Sequence, residues 1–292
     1  MFQPSDPANF NFKPDVEPVA TVAPGTRCLI DTEDAFSHQI AKPGDRRDHE
    51  AQPYGNPLTG PLWVSGAELG DTISIRIHAI ECRGDTAATY AYPLASVMEY
   101  LGPDFVPQDR CCQVDEAGIH WDDGLVLPYR PMIGTVGTTP AGWTPTSGAV
   151  GAWGGNMDLV EVGPGSTLEL PVFLEGGRLY FGDCHGLQGA AEWSGAAMEM
   201  RGRIDCTIEL RKSSVIPGPR ITTNEAIWAV GTARSIERGI AQAYSRLALW
   251  IEAEHGRPRW DAYCLLTQVG HLSFGYHGLG VVAAGIEHHY LQ

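Results

Sequence analysis

The sequence feature that most constrains the fold is a nearly strict alternation of apolar and polar residues from Thr72 to Ile80. Successive side chains of a β-strand point to opposite faces, so this alternation predicts a strand with one face buried. The 35 glycines and 21 prolines supply many turns, which favours short strands over long helices. Further strands or hairpins are predicted at 27–32, 61–64, 119–127, 165–173, 178–182 and 196–210. We expect 61–64 to pair with 72–80, and 165–173 to form a hairpin with 178–182.

Helical spacing is found in one region, residues 225–269. Ile236, Ile240, Ala243 and Leu247 recur every three or four residues, and Pro258 interrupts the pattern, which predicts two helices. The predicted fold is therefore mainly β, sandwich-like or barrel-like, with a helical C-terminal segment. A chain of 292 residues fits one unit. Within it we predict two packed β subdomains at about 25–130 and 131–222, and a helical region at about 225–270.

The composition argues against several classes of partner. The formal charge is −15 and only 20 residues are Lys or Arg, which disfavours a nucleic-acid surface and an anionic membrane surface. No apolar run approaches the roughly 18 residues of a membrane-spanning helix, and the N-terminus does not have the pattern of a secretory signal. The seven cysteines are scattered without a CxxC motif, which predicts reduced thiols rather than disulfides. We expect a cytoplasmic protein that acts on a neutral small molecule.

The strongest group of chemically capable residues lies between Gly182 and Glu192. Asp183 and His185 are two residues apart at the end of a predicted strand, so both side chains can lie on one face and bind a divalent metal. Such a metal lowers the pKa of bound water, and Glu192 could then move the proton. A D-x-H sequence at a strand end is also a common hydrogen-bonded turn, so the pattern alone leaves both interpretations open.

Two further clusters have the same ambiguity. The first follows the strand at 27–32 and is either part of a metal site or a solvated loop; it contains Asp31, Glu33, Asp34 and His38. The second is the segment 154–158, where glycines permit close approach of a ligand and Asn156 could donate to an oxyanion. The alternative for this segment is a simple turn closed by an Asx hydrogen bond.

Several blocks of the sequence resemble the acetamidase/formamidase family. The stretch Asn56–Ile73 is similar to its motif NPxTGPxxVxGAxPGDxL, and the segment 154–158 is similar to GGNLD. The segment 165–192 resembles GSTLxLPVxxxGAxxxxGDxHxxQGDGE. Asp34 and Gln39 lie where the family has DxxxGQI, and 262–267 resembles AYxLLS. Each block alone is weak, but their occurrence in one order is specific.

This resemblance implies hydrolysis of short amides, such as formamide or acetamide, to a carboxylate and ammonia. It also implies a mainly β architecture, a homo-oligomer such as a dimer, and a divalent metal, often zinc. Carried onto this sequence, it makes Asp34, Asp183 and His185 the predicted metal ligands. The predicted catalytic residues are Glu192, Asn156 and Gln188, and the predicted substrate-binding residues are Trp153 and Gly155.

The sequence departs from the family motifs at three places. Trp153 stands where the family has histidine, Ala190 and Ala191 replace aspartate and glycine, and His38 replaces a common glycine. These changes leave two alternatives open. Trp153 could line a larger apolar pocket for a bulkier amide or a lactam, or the protein could be a catalytically silent relative that binds a small molecule.

Overall fold

The computed structural model describes residues 1–4, 8–91, 94–102 and 104–292. In chain order its strands are β1 Ala20–Val22, β2 Thr26–Asp31, β3 Leu58–Val64, β4 Thr72–Cys82, β5 Thr86–Tyr90, β6 Asp109–Asp115, β7 Gly118–Asp122, β8 Leu125–Leu127, β9 Met132–Gly137, β10 Val150–Gly151, β11 Gly154–Asn156, β12 Thr167–Pro171, β13 Leu179–His185, β14 Glu199–Met200, β15 Gly202–Arg211, β16 Arg220–Thr222, β17 Ala226–Thr232, β18 His271–Phe274 and β19 Val281–Glu287. The α-helices are α1 Ala95–Leu101, α2 Ile236–His255 and α3 Arg259–Val269.

The strands form two sheets that share one apolar core. The eight-stranded sheet has the order β18-β19-β17-β16-β12-β4-β15-β2. The other sheet has the order β10-β11-β9-β13-β14-β5-β6-β7-β8, and β3 joins it beside β13 with β1 along its own edge. Core side chains from both sheets belong to one buried cluster, which includes Ile75 of β4 and Phe181 of β13. The prediction of a mainly β fold with C-terminal helices is confirmed.

Strand β4 shows why the alternating pattern is informative. Ile73, Ile75 and Ile77 are fully buried in the core, whereas Arg76 and His78 on the opposite face are exposed. Full burial of one isoleucine side chain contributes about 1.5–3 kcal/mol, so this face alone favours one orientation of the strand. Strand β4 lies between β12 and β15 and pairs antiparallel with both.

The predicted pairing of neighbouring strands is wrong at two places. Strand β3 lies in one sheet and β4 in the other, and β12 and β13 are separated in the same way. The pairing partners are instead β4 with β12 and β3 with β13. The two connections contact each other, because Val64 N donates to Gly176 O at 2.9 Å and Gly176 N donates to Ala67 O at 2.8 Å. Both turns therefore carry the chain from one sheet to the other.

No strand was predicted in the region 131–156, but it contains strand β9. Every residue of this strand is buried, so its sequence Met-Ile-Gly-Thr-Val-Gly lacks the alternation of a half-exposed strand. Each sheet takes strands from both ranges, 25–130 and 131–222. The two layers are therefore not the two predicted subdomains, and that division of the chain remains a prediction.

Two helices follow strand β17, as the sequence predicted, although Ala226–Thr232 is strand rather than helix. The Ser235 side chain caps α2 by accepting a hydrogen bond from Arg238 N, and Gly256 ends this helix in the left-handed conformation with φ 68°. Leu247 and Ile251 of α2 pack against Val282 and Ile286 of β19 in a second core. No helix within the described ranges is long and apolar enough to cross a membrane.

Candidate active site

The site is built around the end of strand β13, which is buried over its whole length. Asp183 interrupts the regular strand with φ 59°, a left-handed conformation that is uncommon for residues other than glycine. Gly134 of the neighbouring strand β9 makes room for this carboxylate. A Cβ atom at position 134 would lie 2.6 Å from both Asp183 Oδ2 and Asp158 Oδ1. Two carboxylates therefore occupy the space that a side chain at 134 would take.

Four carboxyl groups surround one imidazole at this point. His185 Nε2 lies 3.2 Å from Glu199 Oε2 and 3.4 Å from Asp183 Oδ1. The possible ligand atoms of Asp158, Asp183 and His185 all lie within 4.8 Å of one another, and so do those of His185, Glu192 and Glu199. All five residues are buried. His185 thus belongs to both groups and lies at the centre of the cluster.

Several polar atoms of this cluster lack a hydrogen-bonding partner among the described residues. They are Asp158 Oδ1, Asp183 Oδ1, His185 Nε2 and Glu199 Oε2. A buried polar atom without a partner costs about 1–3 kcal/mol, so native proteins rarely leave one, and here four lie together. Oxygen and imidazole nitrogen atoms that converge in this way are a donor set suited to a divalent cation.

Gln188 fixes the orientation of His185. Gln188 Nε2 donates to the carbonyl oxygen of Asp158 at 2.6 Å, which identifies the nitrogen of the Gln188 amide. The other end of this amide, Oε1, is an acceptor 2.8 Å from His185 Nδ1. Nδ1 must therefore carry the proton of that hydrogen bond, and in the neutral ring Nε2 presents its lone pair to the carboxylates. Outer hydrogen bonds of this kind typically orient metal-binding histidines.

A network of amides and a hydroxyl holds the outer oxygens of the two aspartates. Asn56 Nδ2 donates to Asp183 Oδ2 at 2.7 Å and to Asn156 Oδ1 at 2.8 Å. Thr135 Oγ1 donates to the same Asn156 oxygen at 2.5 Å. Asn156 Nδ2 in turn donates to Asp158 Oδ2 at 2.7 Å. In each aspartate Oδ2 accepts these hydrogen bonds, whereas Oδ1 lies in the cluster without a hydrogen-bonding partner among the described residues.

The pKa values of the cluster are shifted because so many charges are buried together. Burial raises the pKa of Glu192 to about 10, and the Asp158 carboxylate adds to the effect. Burial also raises the pKa of Glu199 to about 7, and burial together with Asp183 raises the pKa of Asp158 well above its usual range. Burial alone would lower the pKa of His185, but the Glu199 and Asp183 carboxylates raise it well above its ordinary value. The cluster needs positive charge, either as protons or as a cation.

A cavity of about 350 Å³ reaches this cluster from the surface. Its polar lining consists of Asn56, Asn156, Asp183, Glu192 and Glu199, together with Thr146 and Ser147. Glu192 is presented by a short 3₁₀ turn, Ala190–Glu192, in which Ala191 and Glu192 both have positive φ. A small molecule in the cavity can therefore contact a carboxyl group that holds a proton readily.

The structure brings together five of the predicted site residues, which are Asn156, Asp183, His185, Gln188 and Glu192. Asp34 lies apart from the two candidate metal groups found among the described residues. Its Oδ1 accepts hydrogen bonds from Phe36 N at 2.8 Å and His38 N at 3.1 Å, so its carboxylate caps a turn. The role of Asp34 as a metal ligand remains a prediction.

The two predicted substrate-binding residues lie beside the site rather than in the described lining of the cavity. Trp153 is buried in a cluster with Phe12 and Tyr180, and its ring meets Trp143 edge-on at 5.1 Å. Gly155 in strand β11 has φ 95°, and a Cβ atom there would lie 2.2 Å from Ala149 O. The close approach at this glycine is therefore to the protein's own backbone.

Sequence reasoning assigned no role to four contributors, which are Asn56, Thr135, Asp158 and Glu199. Asn56 and Asp158 lie within the quoted motifs, so a signal was present for both. Glu199 lies between Met198 and Met200 in a stretch that was predicted to alternate. A carboxylate between two apolar residues is the ordinary pattern of a solvent-facing position, which hid its burial.

Comparison with known proteins identifies the family. The model of the Acetamidase/Formamidase family matches residues 2–146 and 146–245. This chain belongs to that family. Membership makes it an amidohydrolase that acts on carbon–nitrogen bonds other than peptide bonds.

Individual members of the acetamidase/formamidase family are similar over most of the chain. The acetamidase of Mycolicibacterium smegmatis is 27% identical over 275 residues, covering 72% of this chain and 67% of that protein. The crystal structure of an acetamidase from Yersinia enterocolitica is 32% identical and superimposes with a TM-score of 0.90, over 98% of this chain and 90% of the other. The corresponding structure from Bacillus halodurans is 27% identical with a TM-score of 0.91, over 99% and 97%.

Proposed function

We propose that this family member hydrolyses a small primary amide to a carboxylate and ammonia with the help of a divalent metal. The observation that carries this proposal is the cluster of four buried, unpartnered polar atoms, two of which belong to the cavity-lining residues Asp183 and Glu199. A cation bound beside His185 would pair with several of these atoms and balance part of the carboxylate charge. Acetamidases among the relatives support an amide as the substrate.

The residues that would hold the metal are Asp183 and His185, with Asp158 and Glu199 as further ligands. Zinc suits the imidazole nitrogen, whereas a carboxylate-rich set also suits other divalent ions, so zinc remains a prediction. The bound ion would lower the pKa of a water molecule and polarise the amide carbonyl. The outer network of Asn56 and Gln188 keeps the ligand atoms pointed inward.

The groups of the protein that face the cavity account for the proton transfers. Burial holds a proton on Glu192 by raising its pKa, whereas a cation bound at the cluster would favour the ionised form, which would accept a proton from the attacking water. The same group then donates this proton to the departing nitrogen as the carbon–nitrogen bond breaks. Asn156 Nδ2 donates one of its two N–H groups to Asp158, and its second N–H could donate a hydrogen bond to an oxyanion.

The proposal is tested by ammonia release from acetamide after chelator treatment, with and without added zinc, manganese or cobalt. We expect chelation to abolish turnover and one metal to restore it. Elemental analysis of His185→Gln should show loss of the bound metal, whereas His120→Gln, which changes a surface histidine paired with Asp115, should retain it. Full activity in the chelated protein would rule out metal assistance while leaving amide hydrolysis intact.

Three other expectations remain predictions. Metal binding through Asp34 predicts that Asp34→Asn lowers the metal content, which the same elemental analysis measures. The homo-oligomer is tested by light scattering coupled to size-exclusion chromatography. The cytoplasmic location is tested by cell fractionation.

A further inference from the structure

The cavity is larger than a short amide requires. Its volume of about 350 Å³ lies within the roughly 300–1,000 Å³ of pockets that bind drug-sized ligands. Acetamide has only four non-hydrogen atoms, so it would leave most of this space empty. The remaining lining is rich in aromatic side chains, which are Phe10, Phe36, Tyr54 and Tyr276. The cavity therefore joins an acidic site to an aromatic chamber.

One wall of this chamber comes from the N-terminal arm. Leu58 N donates to Asn9 O at 2.7 Å, and Ser147 N donates to Phe10 O at 2.8 Å, so the arm is bonded on both sides. The Phe10 ring then lies 5.7 Å from the Tyr54 ring in a tilted arrangement. Rings at this distance contact each other directly and form one continuous apolar surface. The arm thus fixes an aromatic surface in the lining of the cavity.

A second aromatic part of the lining, Phe36, is held by the turn that Asp34 caps. Phe36 N donates a hydrogen bond to Asp34 Oδ1, which fixes the backbone at Phe36. The Phe36 side chain is almost fully buried. Tyr276 lies close enough to Glu192 and Asp158 for their charges to raise its pKa, after the larger effect of burial. Aromatic side chains therefore share the cavity lining with the acidic residues.

We propose that the preferred substrate is a primary amide whose acyl group ends in an aromatic ring, of which phenylacetamide is the simplest probe. This inference rests on the proposed function and adds the class of acyl group. The amide lies at the carboxylate cluster, and the ring lies against Phe10 and Tyr54. Water adds to the acyl carbon, the carbon–nitrogen bond breaks, both protons of the water pass to the departing nitrogen, and the products are phenylacetate and ammonium.

The test compares kcat/KM for phenylacetamide and acetamide on the metal-loaded full-length protein. We expect a ratio of at least roughly tenfold in favour of phenylacetamide, since a few methylene-sized contacts already give that discrimination. Phe10→Ala should lower kcat/KM for phenylacetamide at least roughly fivefold and leave acetamide within about twofold. Tyr100→Ala removes an exposed ring outside the cavity lining and should change neither value.

The outcomes separate this inference from the proposal on which it rests. Hydrolysis of acetamide without a preference for phenylacetamide would overturn the aromatic substrate and leave the amidase intact. Equal loss of both activities in Phe10→Ala would overturn the role of the Phe10 ring. Absence of ammonia from both amides, with every metal tried, would overturn the proposed function and this inference together.

Discussion

Strands β4 and β13 are interior strands of the two sheets, but their buried side chains differ in kind. The buried side chains of β4 include four isoleucines, whose environment is as apolar as they are. The buried end of β13 is Asp183, Cys184 and His185, and Asp183 also has a left-handed backbone. Strand β4 therefore stabilises the fold, whereas the end of β13 gathers destabilising groups at the candidate site.

The burial of a residue therefore does not by itself indicate a functional role. At β4 the hydrogen bonds are those of the sheet, and the side chains need no partner beyond other apolar groups. At β13 the side chains need an external amide network, and four atoms still lack partners within the described part of the chain. Substitutions in β4 should therefore change mainly stability, and substitutions at the end of β13 mainly activity. Four measurements test this distinction.

The largest expected effect is on catalysis, in Glu192→Gln. This change keeps the size of the side chain but removes the group that carries the proton, so kcat for ammonia release should fall by about 10²–10⁴-fold. The melting temperature should stay the same or rise, because burial already favours the neutral carboxyl form that glutamine imitates. Unchanged turnover in the folded variant would remove Glu192 from the mechanism.

The matching change in β4 is Ile75→Ala. Loss of this fully buried side chain leaves a cavity between the sheets and should cost about 2–5 kcal/mol of unfolding free energy. Urea denaturation measures the loss, and kcat of the protein that remains folded should be unchanged. A large fall in kcat without loss of stability would show that β4 and the site are coupled, and would contradict a purely stabilising role for β4.

The same contrast explains how far the sequence could predict the structure. The position of β4 was predictable because its alternating sequence indicates one solvent-exposed face and one buried face. Its partner β12 lies about ninety residues away, and nothing local distinguishes that pairing from a hairpin with β3. Strand β9 was missed because a strand buried on both faces has no alternation.

For the site, Asp183, His185 and Glu192 were predictable because they are close together in the sequence. Glu199 and Thr135 reach the cluster only through the pairing of β14 and β9 with β13, which the sequence did not reveal. Asp34 illustrates the opposite case. Its motif position was recognised, but its carboxylate is occupied by backbone N–H groups of its own turn.

A smaller effect is expected in the pH dependence of stability. Folded Glu192, with a pKa of about 10, keeps its proton at pH values where the unfolded chain has lost it, above about 4.5. The folded state then binds more protons, so stability should fall as pH rises from 6 to 9, by at most about 1.4 kcal/mol per pH unit for one group. Melting temperatures of the chelator-treated protein measure this slope. An equal slope in Glu192→Gln would assign it to other groups.

The smallest effect concerns the turn that presents Glu192, where the sequence departs from the family motif. Ala191 has φ 67° and ψ 2°, a left-handed conformation that costs an L-residue about 1–2 kcal/mol and that glycine adopts freely. Ala191→Gly should therefore raise the unfolding free energy by about 1 kcal/mol, measured by urea denaturation. The neighbouring change Ala190→Gly is the control, because position 190 has no positive φ and glycine there should cost about 0.5–1 kcal/mol. If both changes destabilise the protein equally, the turn stores no strain, and the alanine at 191 needs another explanation. If they differ in sign, the chain tolerates backbone strain beside Glu192 as it does at Asp183, and both of these carboxyl residues line the cavity.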